Sequence, residues 1–368
     1  MFRSWYATCP RGAEPAMELE LAELGAKGIR PSVGIVRFTG PREVALRACL
    51  LLRTALRVLE PVGEFPALTA EELYEGTAKL PWADLIVPGQ TFAVSATGRT
   101  EHLNHTHFVE LKIKDAVVDT LGRRDVDVKA PDVLVVAHLG NGKCSVSLDL
   151  AGDLLSNRGY RVRTVEAPLR ESLAAAVLLL SGWDRKTPLH DPVCGSGTIA
   201  IEAALLASCR APNEQRRLAC ERWPRTQSDQ AVLERIRAEL RAGVVKPPEI
   251  LASDRDPEAV AAARENVQRA GVAVRVFQQD VREIKPLSPP GQLVLNVPYG
   301  ERLDAGGRKQ LKSFYHSLGA ALRPLSGHRA AVLSASEDFE SAFGMRPRGQ
   351  RRVLWNGPLR STLYLYEM

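Results

Sequence analysis

Asp191-Pro192-Val193-Cys194-Gly195-Ser196-Gly197-Thr198-Ile199-Ala200 is the stretch on which the reading of this chain turns. His190-Asp191 reads as the end of a strand, and Ile199 to Ala207 is an unbroken apolar helix. The two glycines therefore sit in a strand-to-helix turn. There they let backbone amides approach a ligand closely, and the helix N-terminus behind them favours negative charge. Gly195-x-Gly197-x-x-Ala200 formally matches a dinucleotide fingerprint, which on its own is a weak signal. That fingerprint needs a ribose-clamping acid about 20 residues on. The first acid that closes a strand is Asp254, 57 residues beyond Gly197, after the polar, helical insertion Arg210 to Val244. This spacing argues against a nicotinamide site.

The same acid suits the ribose of a different nucleotide. Asp254 ends Ile250-Leu251-Ala252-Ser253-Asp254 and can accept from both hydroxyls, whereas Asp256-Pro257 reads as a helix N-cap with proline at the first position. Asp280 ends Val276-Phe277-Gln278-Gln279-Asp280 and suits an adenine amine. Each acid alone could merely cap a helix. Three at successive strand ends, behind a glycine turn, point to a nucleotide-like cofactor. Asn296-Val297-Pro298-Tyr299-Gly300 closes the next strand. A side-chain amide oxygen and a fixed backbone carbonyl can accept both hydrogens of an exocyclic amine, which aims its lone pair. Tyr299 adds a ring on which an extruded base can stack.

Outward from these motifs the chain alternates strand and helix from Pro168 onward, the signature of a parallel doubly wound sheet. Its strands are His190-Asp191, Ile250 to Asp254, Val274 to Asp280, Leu293 to Asn296, Arg329 to Ser334, Arg352 to Trp355 and Thr362 to Tyr366. Asn356-Gly357-Pro358 makes the last two a hairpin, so one antiparallel strand is expected at the sheet edge. Upstream, Glu14 to Leu24 and Arg42 to Leu59 read as helices around the strand Gly34 to Phe38, an α+β unit. A second unit places strands at Phe92–Ala96, Val133–Leu139 and Lys143–Leu150, with a helix at Thr106–Leu121 and a turn at Gly140-Asn141-Gly142.

Composition sets the bounds. The chain has 368 residues, 45% hydrophobic and 25% charged, which excludes a disordered chain, a coiled coil and a collagen. Six cysteines lie scattered with no CxxC pair, so a zinc knuckle is disfavoured, no metal is expected, and reduced thiols in the cytoplasm are. The longest apolar run, Leu173 to Leu180, is too short to span a membrane. Net charge is +6, and Arg outnumbers Lys by 38 to 11. Guanidinium forks suit phosphates and base edges, although an Arg-rich composition can also be a genomic bias.

Asp191 to Thr198 resembles motif I, and Asn296 to Gly300 motif IV, of the S-adenosylmethionine-dependent methyltransferases that modify exocyclic amines. Ala167 to Ala175 resembles the helix that closes over the cofactor. Phe92 to Arg161 resembles a THUMP RNA-binding domain, and Ala7 to Glu14 the ferredoxin-like domain before it. The implied organisation is a ferredoxin-like domain over residues 1–80, THUMP over 81–163 and a Rossmann-like catalytic domain over 164–368. The combination is similar to the tRNA guanine-N2 methyltransferases acting at position 6, and implies a monomer that holds the acceptor stem and 3′ end of tRNA. A larger relative methylates ribosomal RNA guanine N2 with a second methyltransferase domain, for which this chain has no room. The family usually has Pro where Val297 stands.

Carried over by resemblance, Cys194, Gly195, Ser196, Gly197 and Thr198 line the methionine end of S-adenosylmethionine, after Asp191. Asp254 holds the ribose, Asp280 the adenine amine, and Val281 offers its backbone nitrogen. Glu171 and Ser172 contribute from the covering helix, where ordinary capping is their bland role. Asn296 and the Val297 carbonyl orient guanine N2, on the loop that Pro298 and Tyr299 complete. Arg123, Arg124, Arg158, Arg161, Arg216, Arg217, Arg348 and Arg351 are the candidate RNA contacts, which would position RNA without reading its sequence. Three alternatives stay open: 23S rRNA guanine-N2 methylation, adenine-N6 methylation, since motif IV does not separate the two amines, and an RNA-binding protein with a vestigial cofactor pocket.

Overall fold

The computed structural model describes residues 2–163, 169–300 and 305–368, and in it the chain forms two seven-stranded sheets. The first contains β1 (Arg3–Thr8), β2 (Lys27–Ser32), β3 (Ile35–Gly40), β4 (Arg57–Pro66), β5 (Phe92–Gly98), β6 (Val133–Gly140) and β7 (Lys143–Asp149). Their order is β2-β3-β1-β4-β7-β6-β5, all antiparallel except β5 beside β6. The two N-terminal units thus share one sheet, joined where β4 runs along β7 from Leu59↔Asp149 to Pro66↔Lys143. Helices α1 (Glu14–Glu23), α2 (Arg42–Leu51) and α3 (Thr106–Leu121) belong to these units. The turn between β6 and β7 is the two-residue Asn141–Gly142, both left-handed (φ 53° and 73°), the geometry that a tight hairpin demands.

The expectation of one helix from Arg42 to Leu59 is corrected here. The helix stops at Leu51, and the chain then becomes the central strand β4. The cause is remote in sequence. Glu20 of α1, buried at 7% exposure, accepts the Arg53 and Thr54 backbone N–H groups at 2.7 and 3.0 Å. These amides would otherwise continue the helix.

The second sheet contains β8 (Leu189–Asp191), β9 (Ile250–Asp254), β10 (Arg275–Gln278), β11 (Gln292–Asn296), β12 (Arg329–Ser334), β13 (Arg352–Asn356) and β14 (Leu359–Glu367). Its order is β10-β9-β8-β11-β12-β14-β13, with β8 to β12 parallel. The antiparallel strand is β14, which lies one place in from the edge; β13 is outermost. Glu171–Leu180 (α4), Thr198–Ala207 (α5), Pro257–Ala270 (α6) and Ala305–Leu322 (α7) are the helices of this unit that bear on the site. Strand order reverses between β8 and β11. That is the topological switch point, where open α/β sheets open a crevice at their carboxyl ends.

The two sheets meet at a buried charged joint. Arg53 donates to the carbonyls of Leu205 and Arg210 at 3.2 and 2.6 Å, in the last turn of α5 and just beyond it. Arg158 lies 3.6 Å from Glu202 of α5, with side-chain exposures of 1% and 0%, and donates to the Arg53 and Leu155 carbonyls. Tyr160 donates to the same Glu202 at 3.0 Å.

Candidate active site

The parallel register brings the motif acids to one edge. His190 pairs with Leu293 and Asp191 with Ala252, while Asp254 pairs with Gln278, so Asp191, Asp254 and Asn296 all end their strands on the carboxyl side. Gly195 and Gly197 carry positive φ, 50° and 83°, and Gly197 is the N-cap of α5. A Cβ at Gly197 would also lie 3.2 Å from Ala263 Cβ of α6. The glycine loop is tied to the next strand by two bonds. Gly195 N–H donates to Asp254 Oδ2 at 2.9 Å, and Cys194 N–H to the Ser253 carbonyl at 2.9 Å.

Asp191 is 1% exposed, and burial pushes its carboxyl well above the usual range, against donation from the Val193 amide and helped by the nearby Asp254 charge. Its Oδ1 and the fully buried Ser172 Oγ of α4 have no hydrogen-bond partner among the described residues. Buried polar atoms without partners are uncommon and ask for a ligand or water. They occur here on the segments expected to face a cofactor, so the residues present fit one. Cys194 is buried and its thiol is pushed up, which makes it a lining group rather than a nucleophile.

Asp280 is half-committed. It accepts from Arg282 N–H at 2.9 Å and from its guanidinium at 2.9 and 2.6 Å, which lowers its carboxyl to about 2. It caps the short turn Val281–Glu283, and Val281 is buried. Glu171 Oε1 accepts from Arg161 at 3.1 Å. Asn296 and Tyr299 are half-buried, Val297 is buried and Pro298 exposed. Val297 N–H donates to the Leu333 carbonyl at 3.1 Å, a bond that the family's usual proline could not make, so the departure at 297 adds an anchor to the loop.

The arginines divide. Arg158 is a core residue of the inter-sheet joint and is removed from the RNA candidates. Arg161 turns inward to the Leu169 carbonyl and the Thr198 hydroxyl at 2.7 and 3.2 Å. Arg123 donates to the Ile86 and Val87 carbonyls at 2.6 and 2.8 Å, and Arg216 to those of Leu154 and Asn157. These four hold the backbone. Arg124, Arg217, Arg348 and Arg351 are exposed, the last two in surface pairs with Glu367 and Glu340 that contribute little to stability.

Asn266 of α6 was missed by the sequence reading. It is 1% exposed; its Oδ1 accepts from the Val162 and Arg163 amides at 2.9 and 3.1 Å, and its Nδ2 donates to the Arg163 and Ser196 carbonyls at 2.9 and 3.0 Å. One amide thus joins the linker after β7 to the glycine loop. An Asn on the apolar stripe Ala259, Ala263, Val267 was the available signal. Of the covering-helix stretch, Ala167 and Pro168 lie outside the described residues.

A family model described as RMKL-like methyltransferase domain matches residues 158–364, a THUMP model 67–149, and an RlmL ferredoxin-like model 4–59. The chain belongs to the RMKL-like methyltransferase family and carries an RNA-binding THUMP domain. A ribosomal RNA large subunit methyltransferase K/L of Aeromonas salmonicida is 37% identical over 100% of this chain and 54% of its own length. The chain thus spans about half the length of such relatives. A Synechocystis protein provisionally named an RNA methyltransferase is 35% identical over 100% of this chain and 97% of its own. The solved structure of SMU.472, provisionally called a methyltransferase and complexed with SAH, superposes with a TM-score of 0.88 at 33% identity, covering 100% and 98% of the two chains. These relatives overturn the tRNA position-6 expectation. The K/L relatives, aligned along 98–100% of this chain, are named for large-subunit ribosomal RNA.

Three outcomes follow. Asp191 releases its proton more readily unfolded than folded, so its burial costs stability as pH rises above the ordinary carboxylate range. Asp191→Asn should raise Tm by about 2–4 °C near pH 8 and by much less near pH 4; thermal melts across that window check it, and a gain confined to low pH refutes it. Arg158→Ala should cost about 3–5 kcal/mol in urea unfolding by leaving Glu202 buried and unpaired. Arg217→Ala should leave unfolding unchanged and lower the salt slope of RNA binding by about one.

Proposed function

We propose that this chain methylates the exocyclic N2 amine of a guanosine in large-subunit (23S) ribosomal RNA, with S-adenosylmethionine as the donor. The observation that carries the substrate is the alignment of the entire chain, ferredoxin-like segment included, with relatives named for that RNA. The amine chemistry is supported by Asn296-Val297-Pro298-Tyr299 standing at the switch point beside the glycine loop.

S-adenosylmethionine, when bound, supplies an electrophilic methyl group. Gly195, Gly197 and Thr198 would line its methionine end, with Asp191, Cys194, Ser196, Glu171 and Ser172 around them. Asp254 would hold the ribose through the acceptor capacity that remains beside its bonds from Gly195 N–H and Asp256 N–H, and Val281 N–H would meet the adenine ring. Asp280 would reach the adenine amine with a lone pair that Arg282 leaves open.

On the other side of the switch point, Asn296 Oδ1 and the Val297 carbonyl would each accept one N–H of guanine N2. This orients the nitrogen lone pair without removing a proton. Both acceptors are neutral, so the surplus proton leaves to water after the new N–C bond forms, and no side chain acts as a strong base. Tyr299 gives the extruded base a stacking surface. The THUMP-bearing sheet and exposed Arg124, Arg217, Arg348 and Arg351 supply the sequence-independent phosphate attraction.

The test is transfer of labelled methyl from S-adenosylmethionine to unmodified 23S rRNA, with unmodified tRNA in parallel, followed by nucleoside analysis. N2-methylguanosine from 23S rRNA is expected, and Asn296→Ala should lower its formation by about 100-fold, the scale of a misaligned reactant. Label in N6-methyladenosine, or in tRNA alone, would overturn the assignment.

A further inference from the structure

The loop that carries Asn296 must aim two acceptors at once, and hydrogen bonds on either side of a proline ring hold it. Val297 N–H is bonded to the Leu333 carbonyl of β12, which pins the peptide entering Val297. The ring of Pro298 fixes its own φ. The peptide leaving Pro298 is held from outside the motif: the Tyr315 hydroxyl of α7 donates to the Pro298 carbonyl at 2.7 Å, across 17 residues of sequence.

Tyr315 is aimed as well as buried. Its side chain is wholly excluded from solvent, and its ring meets that of Phe339 edge-on, with centroids 5.1 Å apart and planes at 80°. Ser334, the last residue of β12, and Ser336 just beyond lie beside its oxygen. The strand that bonds Val297 therefore ends beside the hydroxyl that bonds Pro298. A phenylalanine would fill nearly the same volume in this aromatic cluster; only the hydroxyl reaches the loop.

We propose that Tyr315 is a positioning residue for methyl transfer, fixing the Pro298–Tyr299 peptide so that the Val297 carbonyl and the Tyr299 ring keep their directions toward the target base. With the peptides on both sides of the Val297–Pro298 unit pinned, the carbonyl between them has one orientation. Tyr315 touches neither base nor cofactor; it acts through the backbone. This rests on the reading of Asn296 to Tyr299 as the amine-binding loop.

The experiment compares Tyr315→Phe with Phe343→Leu in the full chain. Phe343 stacks on Phe339 at 4.9 Å, so its truncation loosens the same aromatic cluster and leaves the hydroxyl bond intact. Single-turnover methylation of whichever RNA the wild type modifies should fall about tenfold or more in Tyr315→Phe. Its affinity for S-adenosylhomocysteine should stay within about twofold of wild type, a shift small beside the tenfold of 1.4 kcal/mol. Phe343→Leu should lower Tm and keep the wild-type rate. Amide hydrogen exchange supplies a readout that needs no substrate: protection of the Val297–Gly300 peptide should drop in Tyr315→Phe only. An unchanged rate in Tyr315→Phe, an equal loss in both variants, or unchanged exchange would overturn the proposal. If the wild type modifies no ribosomal RNA, the substrate reading fails, and the exchange comparison still decides the role of Tyr315.

Discussion

Everything at the active edge depends on one short bond, from Gly195 N–H to Asp254 Oδ2 at 2.9 Å. It closes the glycine turn of one strand against the terminal acid of the next, and it forms only because β8 and β9 run parallel and in register. A slip of one residue would turn each strand-end side chain to the other face. The same register carries Asn296 to the edge on the far side of the switch point. The Gly195–Asp254 side and the Asn296 loop thus occupy opposite lips of one crevice, an arrangement made by topology before any side chain adds to it.

The second constraint is the charged joint between the sheets. Arg53, Arg158 and Glu202 are buried together where the N-terminal sheet meets α5, the helix that starts at the glycine turn. Buried ion pairs are poor sources of net stability, yet breaking one is costly, so they favour a single docking geometry. Arg161 and Asn266 extend that junction to Thr198 and Ser196 of the glycine turn. The RNA-binding module is therefore fixed against the cofactor loop by polar contacts rather than by apolar packing alone.

Much of this was legible in the sequence where local chemistry decides the structure. The glycine turn, the strand-end acids and the Asn141–Gly142 hairpin follow from φ preferences and from alternation of strand and helix. What escaped was decided at a distance. Glu20 ends α2 by capturing the amides of Arg53 and Thr54, a contact 33 and 34 residues away. Arg158 and Arg161 looked like surface cations because an arginine carries no local sign of burial, and only the fold supplies Glu202 and Glu171 as their partners. The substrate was misread for a related reason: motif IV states what happens to an amine, not which RNA presents it.

The central claim is that the two lips of the crevice do separate work, Asp254 on the cofactor and Asn296 on the amine. Calorimetric titration of S-adenosylhomocysteine into Asp254→Ala and Asn296→Ala tests it most directly. Loss of charged hydrogen bonds to the ribose should weaken binding about tenfold or more in Asp254→Ala, with Asn296→Ala binding as tightly as the wild type. Equal losses in both variants, or a loss in Asn296→Ala alone, would contradict the division.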